Sequence, residues 1–236
     1  MKRFIFATAV VLSIAGSAYT APVSSVTSQT GQLNTARFSG MTAPSNSDLL
    51  QGIVAVVGAR GLHPGVVGNS TAALTDGNGN TPTTVLNDSA GALPVGTSTT
   101  LTFTLATTQT IGSLRVFSSN GDGRAFQFYD VQVASTNGGP YTNLITGVRV
   151  GTPAVDSFHG NDTSNNLSAI SQVYDNSSSV LASNVKEVLI TFWGCDNDFL
   201  GTNCVAYAAS IQGANLVEID ALAPVASVQQ EWSLYR

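Results

Sequence analysis

The sequence predicts an all-β protein, an antiparallel β-sandwich of the jelly-roll type. Apolar and polar residues alternate with a period of two in several segments, and no segment shows apolar helical periodicity over three or more turns. Only 10% of the residues are charged, and the polar residues are mostly Ser, Thr, Asn and Gly, which favour strands and turns over surface helices. About eight strands with turn-rich connections are typical of two packed sheets.

The start of the chain reads as a secretory signal peptide over residues 1–20. Lys2 and Arg3 form a charged start, Phe4–Ala15 is apolar, and small residues follow. The apolar run is about 12 residues, short of the roughly 20 that a membrane-spanning helix needs. No later segment is long and apolar enough to span, so we expect a secreted protein and leave its retention at the cell surface open.

The mature chain is expected to contain one folded domain. Residues 21–36 are polar and weakly patterned and are expected to form a flexible lead-in. Residues 37–221 carry the strand pattern and form the predicted β-sandwich domain, and residues 222–236 form a C-terminal tail. A single domain of this length is common among all-β proteins.

The first element expected along the domain is a single helical turn near Asn46–Leu50, where "SNSDLL" places capping residues ahead of apolar ones. Strands follow it. The segments "TLTFTLAT" and "KEVLITFW" alternate strictly, and their inward residues are Leu101, Phe103, Leu105, Val188, Ile190 and Phe192. Further strand candidates are Ile53–Val57, Ile111–Ser118, Ala125–Ala134, Leu144–Val150, Val205–Ile211 and Leu216–Ala221.

The segment "AFQFYDVQVAS" departs from simple alternation. Tyr129, Val131 and Val133 share one face, while Phe126 and Phe128 fall on the other. A bulge near Tyr129–Asp130 would account for this, as would burial of both phenylalanines under a covering loop. Exposed aromatic residues that contact a ligand are a third interpretation.

Charge and motifs exclude several classes of function. The formal net charge is −5, the sequence pI is near 4.7, and no basic run follows Lys2 and Arg3, so we expect no nucleic-acid partner. No phosphate-binding loop and no G-x-S-x-G elbow is present. We therefore predict no catalytic residues and no enzyme. A hydrolase that uses carboxylates among Asp196, Asp198, Glu218 and Glu231 stays the third hypothesis.

The two cysteines, Cys195 and Cys204, lie in "CDNDFLGTNC". In an exported chain, a pair this close is most simply a disulfide that closes a loop. A loop of this length gains about 2–3 kcal/mol on the chain-entropy model. A metal site is the alternative, but no His or further Cys lies nearby in the sequence.

The cysteine loop also contains the preferred ligand region. Sugar recognition needs an aromatic platform beside planar polar groups, and this stretch supplies both: Trp193, Asp196, Asn197, Asp198, Phe199 and Tyr207. In the alternative interpretation Trp193 ends a core strand, and the loop is a corner closed by the disulfide.

The order of segments resembles the galactose-binding-like jelly rolls, the group that contains discoidin domains, coagulation factor type C domains and several carbohydrate-binding modules. The matching segments span about residues 48–221 and are, in order, "LTDGN", "TLTFTL", "IGSLRVFS", "GRAFQFYDVQVASTNGGPYTNL", "LASNVKEVLITF" and "LVEIDAL". The likeness is closest to exported bacterial proteins of this type. Those proteins carry a C-terminal sorting tail, which "APVASVQQEWSLYR" does not match, so their mode of surface retention is not carried over.

The resemblance implies a structural calcium ion. Members of the group use a "DGN" loop and a glutamate in the last strand, which correspond here to Asp76, Asn78 and Glu218. Backbone carbonyls and a side chain from Thr84 or Asn87 would complete the shell. Calcium takes six to eight hard oxygen ligands, and short Asp and Asn side chains in a glycine-rich loop provide such atoms. The alternative is a plain Asn-Gly and Asp-Gly turn.

Together these features predict a secreted, non-catalytic binding module. The resemblance implies carbohydrate, on a cell surface or in a matrix, as its ligand class. The alternative is a structural or adhesive envelope protein that contacts other proteins and has no sugar site. A fold does not fix a function, so the sequence alone leaves this choice open.

Overall fold

The computed structural model describes residues 24–32, 38, 40–66, 68–80, 84–86, 98–120, 127–150, 167–193 and 214–225. Within them the regular structure is almost entirely strand. The strands are β1 (Ser24–Gln32), β2 (Val56–Val57), β3 (Thr84–Val85), β4 (Ser98–Ile111), β5 (Ser113–Asn120), β6 (Gln127–Ala134), β7 (Thr142–Val150), β8 (Leu167–Asp175), β9 (Ala182–Trp193) and β10 (Asn215–Leu222). A short 3-10 helix, Thr71–Thr75, begins after the capping residue Ser70.

The strands form two five-stranded sheets. The first sheet has the order β1-β8-β5-β10-β3 and the second the order β2-β4-β9-β6-β7. The strand pairs in both sheets are antiparallel. The protein is therefore an all-β antiparallel sandwich of the jelly-roll type, and the predicted fold class is confirmed.

The core lies between the two sheets, and the period-two pattern predicts its members. On β4, Leu101, Phe103 and Leu105 are buried, and on β9 the same is true of Val188, Ile190 and Phe192. Their sheet meets residues of β5 and β10 such as Val116 and Ile219 in one continuous cluster. Burial of alternate apolar residues is the main contribution that drives the two sheets together.

The irregularity predicted in the sixth strand lies in its pairing with β7. Tyr129, Val131 and Val133 are core residues, and β6 pairs with β9 without interruption. On the other side the register shifts, because Tyr129 pairs with Val148 whereas Val131 pairs with Ile145. The extra residue of this shift is on β7, where Gly147 has a φ of 68° and donates its amide to Asp130 Oδ1 at 2.6 Å. A second shift follows, because Gln132 pairs with Asn143. Phe126 lies outside the described residues.

Three local expectations differ from the structure. Ser24–Gln32, within the expected flexible lead-in, forms β1 and pairs along its length with β8. β8 itself was not predicted, because Ser and Gln interrupt its apolar residues. Asn46–Leu50 forms turns and not a helix, since Asp48 Oδ1 accepts the Leu50 amide in place of a helical carbonyl.

Other predicted elements agree in position with the structure, although boundaries shift. Ile53–Val57 is a strand only at Val56–Val57, and the strand predicted at Leu144–Val150 begins at Thr142. The predicted signal peptide and the strand Val205–Ile211 lie outside the described residues. Among the helices of the described part, none is long and apolar enough to cross a membrane.

The last strand is buried on both faces, which positions the candidate site. Ile219 and Ala221 face the core between the sheets. Their alternating neighbours Glu218 and Asp220 therefore point to the outer face of the first sheet, yet both are fully buried. The chain before β2 covers this outer face. Phe38 packs edge-on against Phe117 there, with ring centroids 5.3 Å apart.

Candidate functional site

Three buried carboxylates meet on the outer face of the first sheet. Glu218 and Asp220 come from β10, and Asp48 comes from the turn segment that lies across it. Glu218 and Asp220 are 0% exposed and Asp48 is 8% exposed. One oxygen of each of the three side chains lies within 4.8 Å of the other two. We call these three residues the acidic cluster.

Backbone amides donate hydrogen bonds to one oxygen of each carboxylate in the acidic cluster. The Ser45 amide donates to Asp220 Oδ2 at 2.9 Å, and the Gly77 amide donates to Glu218 Oε1 at 3.2 Å. Asp48 Oδ1 accepts from the amides of Leu50 and Ala221 at 2.7 and 3.2 Å. The other oxygens, Asp48 Oδ2, Glu218 Oε2 and Asp220 Oδ1, are buried and have no hydrogen-bond partner among the residues that the structure describes.

Burial dominates the electrostatics of the acidic cluster. It raises the pKa of Glu218 to about 9; the Gly77 amide opposes this, and the charges of Asp220, Asp76 and Asp48 add to it. Burial likewise raises the pKa of Asp220 to about 7, against the opposing effects of the Ser45 amide and Arg115. Burial also raises the pKa of Asp48. The charged forms of these groups are costly here unless a cation compensates them.

The structure places the predicted metal ligands unequally. Glu218, on the last strand, is in the acidic cluster. Asp76 and Asn78 are exposed, and their side chains close turns: Asp76 Oδ1 accepts the Asn78 amide at 2.9 Å, and Asn78 Oδ1 accepts the Asn80 amide at 3.1 Å. The hydroxyl of Thr84 donates to the Ser70 carbonyl at 2.6 Å, and Asn87 lies outside the described residues.

Sequence reasoning did not identify Asp48 and Asp220. Asp48 had been interpreted as part of a capping sequence, and Asp220 was a common residue in a closing strand. A signal was nevertheless present, because a carboxylate alternates with another carboxylate in "EIDAL", a strand otherwise made of apolar residues. Paired buried carboxylates in a strand are rare without a partner.

The second candidate region is Trp193, the last residue of β9. Its side chain is partly exposed, and its ring lies 6.3 Å from the ring of Phe128. The indole Nε1 donates to Asp130 Oδ2 at 3.0 Å, and the other oxygen of Asp130 accepts the Gly147 amide of the bulge. The bulge on β7 therefore holds Asp130, and Asp130 holds the indole in one orientation.

The remaining residues of the predicted ligand region lie outside the described part of the chain. These are the predicted disulfide partners and the polar and aromatic residues between and after them: Cys195, Asp196, Asn197, Asp198, Phe199, Cys204 and Tyr207. The predicted disulfide and the predicted grouping of these side chains around Trp193 remain predictions. Of this region, the structure describes the platform residue alone.

Comparison with known proteins returns matches among solved structures only. No protein-family model matches the chain, and no curated protein matches it. A fucosidase of Ruminococcus gnavus in complex with fucose aligns over 78% of this chain and 28% of its own, with 13% identity and a TM-score of 0.48. The chain thus spans about a quarter of the length of that enzyme.

Two further structures align over nearly their whole length. The module CpGH89CBM32-5 of Clostridium perfringens, in complex with GalNAc-β-1,3-galactose, covers 75% of this chain and 100% of its own, at 16% identity and a TM-score of 0.46. The N-terminal domain of the single-strand break repair protein XRCC1 covers 75% and 98%, at 11% identity and a TM-score of 0.45. At these TM-scores and identities, the likenesses carry no argument about the function of this chain.

Proposed function

We propose that this protein is a non-catalytic binding module that recognises carbohydrate outside the cell, on a scaffold that binds calcium. The observation that carries the proposal is the fixed, partly exposed indole of Trp193 at one end of the sandwich. The apolar face of a sugar ring packs on such an indole, while its hydroxyl groups need planar polar partners nearby. The sequence places Asp196, Asn197 and Asp198 directly after Trp193.

The contacts of Trp193 suit it to this role. A tryptophan offers a large apolar surface with few rotatable bonds. Because Asp130 and Phe128 already restrict the indole, binding would cost little further side-chain entropy. A platform of this kind on the end of a rigid strand is better preorganised than one on a free loop.

Export and the disulfide belong to the same proposal. A signal peptide over residues 1–20 would direct the chain to an oxidising compartment, where Cys195 and Cys204 would form their bridge. The bridge would close the loop that carries the polar residues beside Trp193. Calcium would act on the scaffold, since the acidic cluster lies on the first sheet and Trp193 on the second.

A glycan array with the mature protein in calcium-containing buffer would test the proposal, followed by titration of the strongest glycan. Trp193→Ala is expected to weaken binding by roughly tenfold or more, because truncation of an aromatic anchor at the centre of a binding site typically costs about 2 kcal/mol or more. Tyr174→Ala is the matched control. Tyr174 is also partly exposed, but it pairs with Ser113, beyond the opposite end of the β4–β9 ladder.

The outcomes separate clearly. Loss of binding in Trp193→Ala with retention in Tyr174→Ala supports the proposal. A folded wild-type protein that binds no glycan on the array contradicts it, and equal binding by both variants would exclude Trp193 as the platform.

An adhesive role through protein contacts is the second candidate function, and the edge of the second sheet favours it. Val54 and Val56 are 60% and 68% exposed, and β2 is the edge strand there. Exposed apolar residues on a sheet edge favour pairing with another edge. Sedimentation of the wild type would show self-association that Val56→Lys abolishes; a wild type that stays monomeric at high concentration contradicts this candidate.

A further inference from the structure

Three separate segments converge on the acidic cluster. The turn segment before β2 contributes Asp48 and the Ser45 amide, the loop after the 3-10 helix contributes the Gly77 amide, and β10 contributes Glu218 and Asp220. A backbone bond from the Leu49 amide to the Ala221 carbonyl at 2.7 Å joins the turn segment to the strand. The carboxylates are therefore held by backbone groups that are far apart in the sequence.

Every carboxylate of the cluster is satisfied on one oxygen and unsatisfied on the other. The satisfied oxygens accept from backbone amides, and the three that have no partner in the described ranges are Asp48 Oδ2, Glu218 Oε2 and Asp220 Oδ1. All three side chains are more than nine-tenths buried. Buried polar atoms without a partner are uncommon in folded proteins. Three such oxygens in one group therefore indicate a ligand that contacts all three.

We propose that the acidic cluster binds one calcium ion, with Asp48, Glu218 and Asp220 as its carboxylate ligands. The inference rests on the calcium of the proposed function and names the residues that bind it. It differs from the motif-based expectation, in which Asp76 and Asn78 supplied the side-chain ligands beside Glu218.

The spacing of the carboxylates suits calcium. Calcium–oxygen bonds are about 2.3–2.6 Å long, so ligand atoms on opposite sides of the ion are separated by roughly twice that distance. Oxygens of the three residues that lie within 4.8 Å of one another fall in this range. The chemistry agrees too, because carboxylate oxygens are hard ligands, and calcium accepts carbonyl oxygens and water in the rest of its shell.

The charges also favour a cation. Three ionised carboxylates in one buried group repel one another, and one oxygen of each lies within 4.8 Å of the other two. A divalent ion would replace this repulsion by attraction to all three groups. The positive charge of Arg115 acts on Asp220, yet Asp220 Oδ1 has no hydrogen-bond partner within the described part of the chain.

The "DGN" loop acts in this arrangement as a positioning element. Its Gly77 amide donates to Glu218 and orients it. The side-chain oxygens of Asp76 and Asn78 accept backbone amides of their own loop. Asp76 contributes negative charge near Glu218. Its removal is therefore expected to affect calcium far less than removal of Asp48 or Asp220.

Calcium content and affinity of the metal-free protein, measured by native mass spectrometry and calorimetry, would test the inference. Asp48→Asn and Asp220→Asn keep the size of the side chain and remove its charge. We expect one ion per wild-type chain and an affinity at least roughly 10- to 100-fold weaker in either variant. Asp76→Asn, the matched control from the loop, should stay within about twofold because Asp76 is exposed.

Melting temperature gives a second readout that a purely structural role would not produce. EDTA should lower the melting temperature of the wild type and of Asp76→Asn, because calcium binds only the native state. It should leave Asp220→Asn unchanged, and in EDTA this variant should melt at or above the wild type, since it lacks one buried charge.

Two results would overturn the inference. One is a folded wild type that binds no calcium, which would mean that the cluster holds protons instead. The other is loss of calcium in Asp76→Asn with retention in Asp48→Asn and Asp220→Asn, which would return the site to the loop. Glycan binding is measured separately, so a protein that binds calcium and no glycan contradicts only the proposed function.

Discussion

A Cβ atom on Gly77 would stand 2.6 Å from the Cα atom of Asn46. The loop after the 3-10 helix and the turn segment before β2 therefore touch through their backbones. Gly77 also has a φ of +72°, which residues with a side chain rarely adopt. This contact sets the position of both segments that cover the acidic cluster.

Gly77→Ala should destabilise the protein by about 2 kcal/mol or more, because left-handed strain of about 1–2 kcal/mol adds to a backbone collision. Urea unfolding would measure the loss. The matched control is Gly61→Ala, since Gly61 has the same φ of +72° but no atom within 4 Å of an added Cβ. Equal losses in the two variants would show that the contact with Asn46 adds nothing.

Gln127 joins the two sheets through a buried polar network. From β6 the two hydrogens of its amide nitrogen are shared among three acceptors, the carbonyls of Val116 and Ala169 and the hydroxyl of Ser118, and its oxygen accepts the hydroxyl of Ser171. Gln127→Ala should cost about 2–4 kcal/mol in chemical unfolding, since several buried groups lose partners at once.

Gln132→Ala is the control for the Gln127 prediction. Gln132 lies on the same strand, and its amide donates to Asn143 at an exposed position. Its removal should change the free energy of unfolding by no more than about 0.5 kcal/mol. A loss of the same size in both variants would contradict a special role for the buried network.

Glu187 anchors the turn between β6 and β7. Its carboxylate accepts the Thr104 hydroxyl at 3.0 Å and both the Gly138 amide and the Tyr141 hydroxyl at 2.7 Å. Burial alone would raise the pKa of Glu187, but the hydrogen bonds from Tyr141, Gly138 and Thr104 hold it below its usual value. Glu187→Gln should therefore cost about 1–3 kcal/mol at neutral pH.

The stability that Glu187 contributes should depend on pH. Because its folded-state pKa is lowered, the contribution is complete above the unfolded-state value near 4.5 and is lost as the pH falls through the folded-state value. Unfolding of the wild type and Glu187→Gln at pH 7 and at about pH 3 would test this. The difference between them should shrink at the lower pH; a constant difference would mean that the charge of Glu187 is not involved.

Calcium removal should loosen the cover of the acidic cluster before the core. The segment that contains Ser45 and Leu50 is joined to β10 by hydrogen bonds to Asp48 and Asp220, and a bound ion would hold these two carboxylates in place. Amide hydrogen exchange in EDTA should therefore accelerate at Ser45 and Leu50, while amides of the central strand β4 stay protected. Uniform acceleration would instead indicate that the ion acts on the whole fold.

Asp130 should influence ligand binding through Trp193. Asp130→Ala removes the acceptor of the indole and the anchor of the bulge at Gly147, so we expect glycan affinity to fall by roughly 3- to 10-fold. A Trp232→Phe background leaves Trp193 as the single tryptophan, and its fluorescence reports both the ring environment and the titration. Asp175→Ala is the control, because Asp175 closes a turn after β8; an equal loss there would argue against positioning.

Much of the fold follows from local pattern. Strict alternation predicts β4 and β9 and their inward residues, since a half-buried strand places every second side chain in the core. The sequence does not predict β1, which is mostly Ser, Thr and Gln, or β8, whose apolar residues are interrupted by Ser and Gln; the two strands pair with each other along their whole length. Polar strands have no periodic signature when backbone hydrogen bonds and long-range neighbours stabilise them.

The sequence by itself determined the fold class, the core faces of the main strands, the last-strand glutamate and a tryptophan at a strand end. Only the tertiary structure decided which carboxylates meet. Asp48 accepts the amide of Ala221, which lies 173 residues further along the chain and directly follows Asp220. No local pattern relates residues so far apart. Their proximity is set by the burial of the outer face of β10, because the segment that covers it places Asp48 next to Glu218 and Asp220. One oxygen of each carboxylate then has no partner among the residues described.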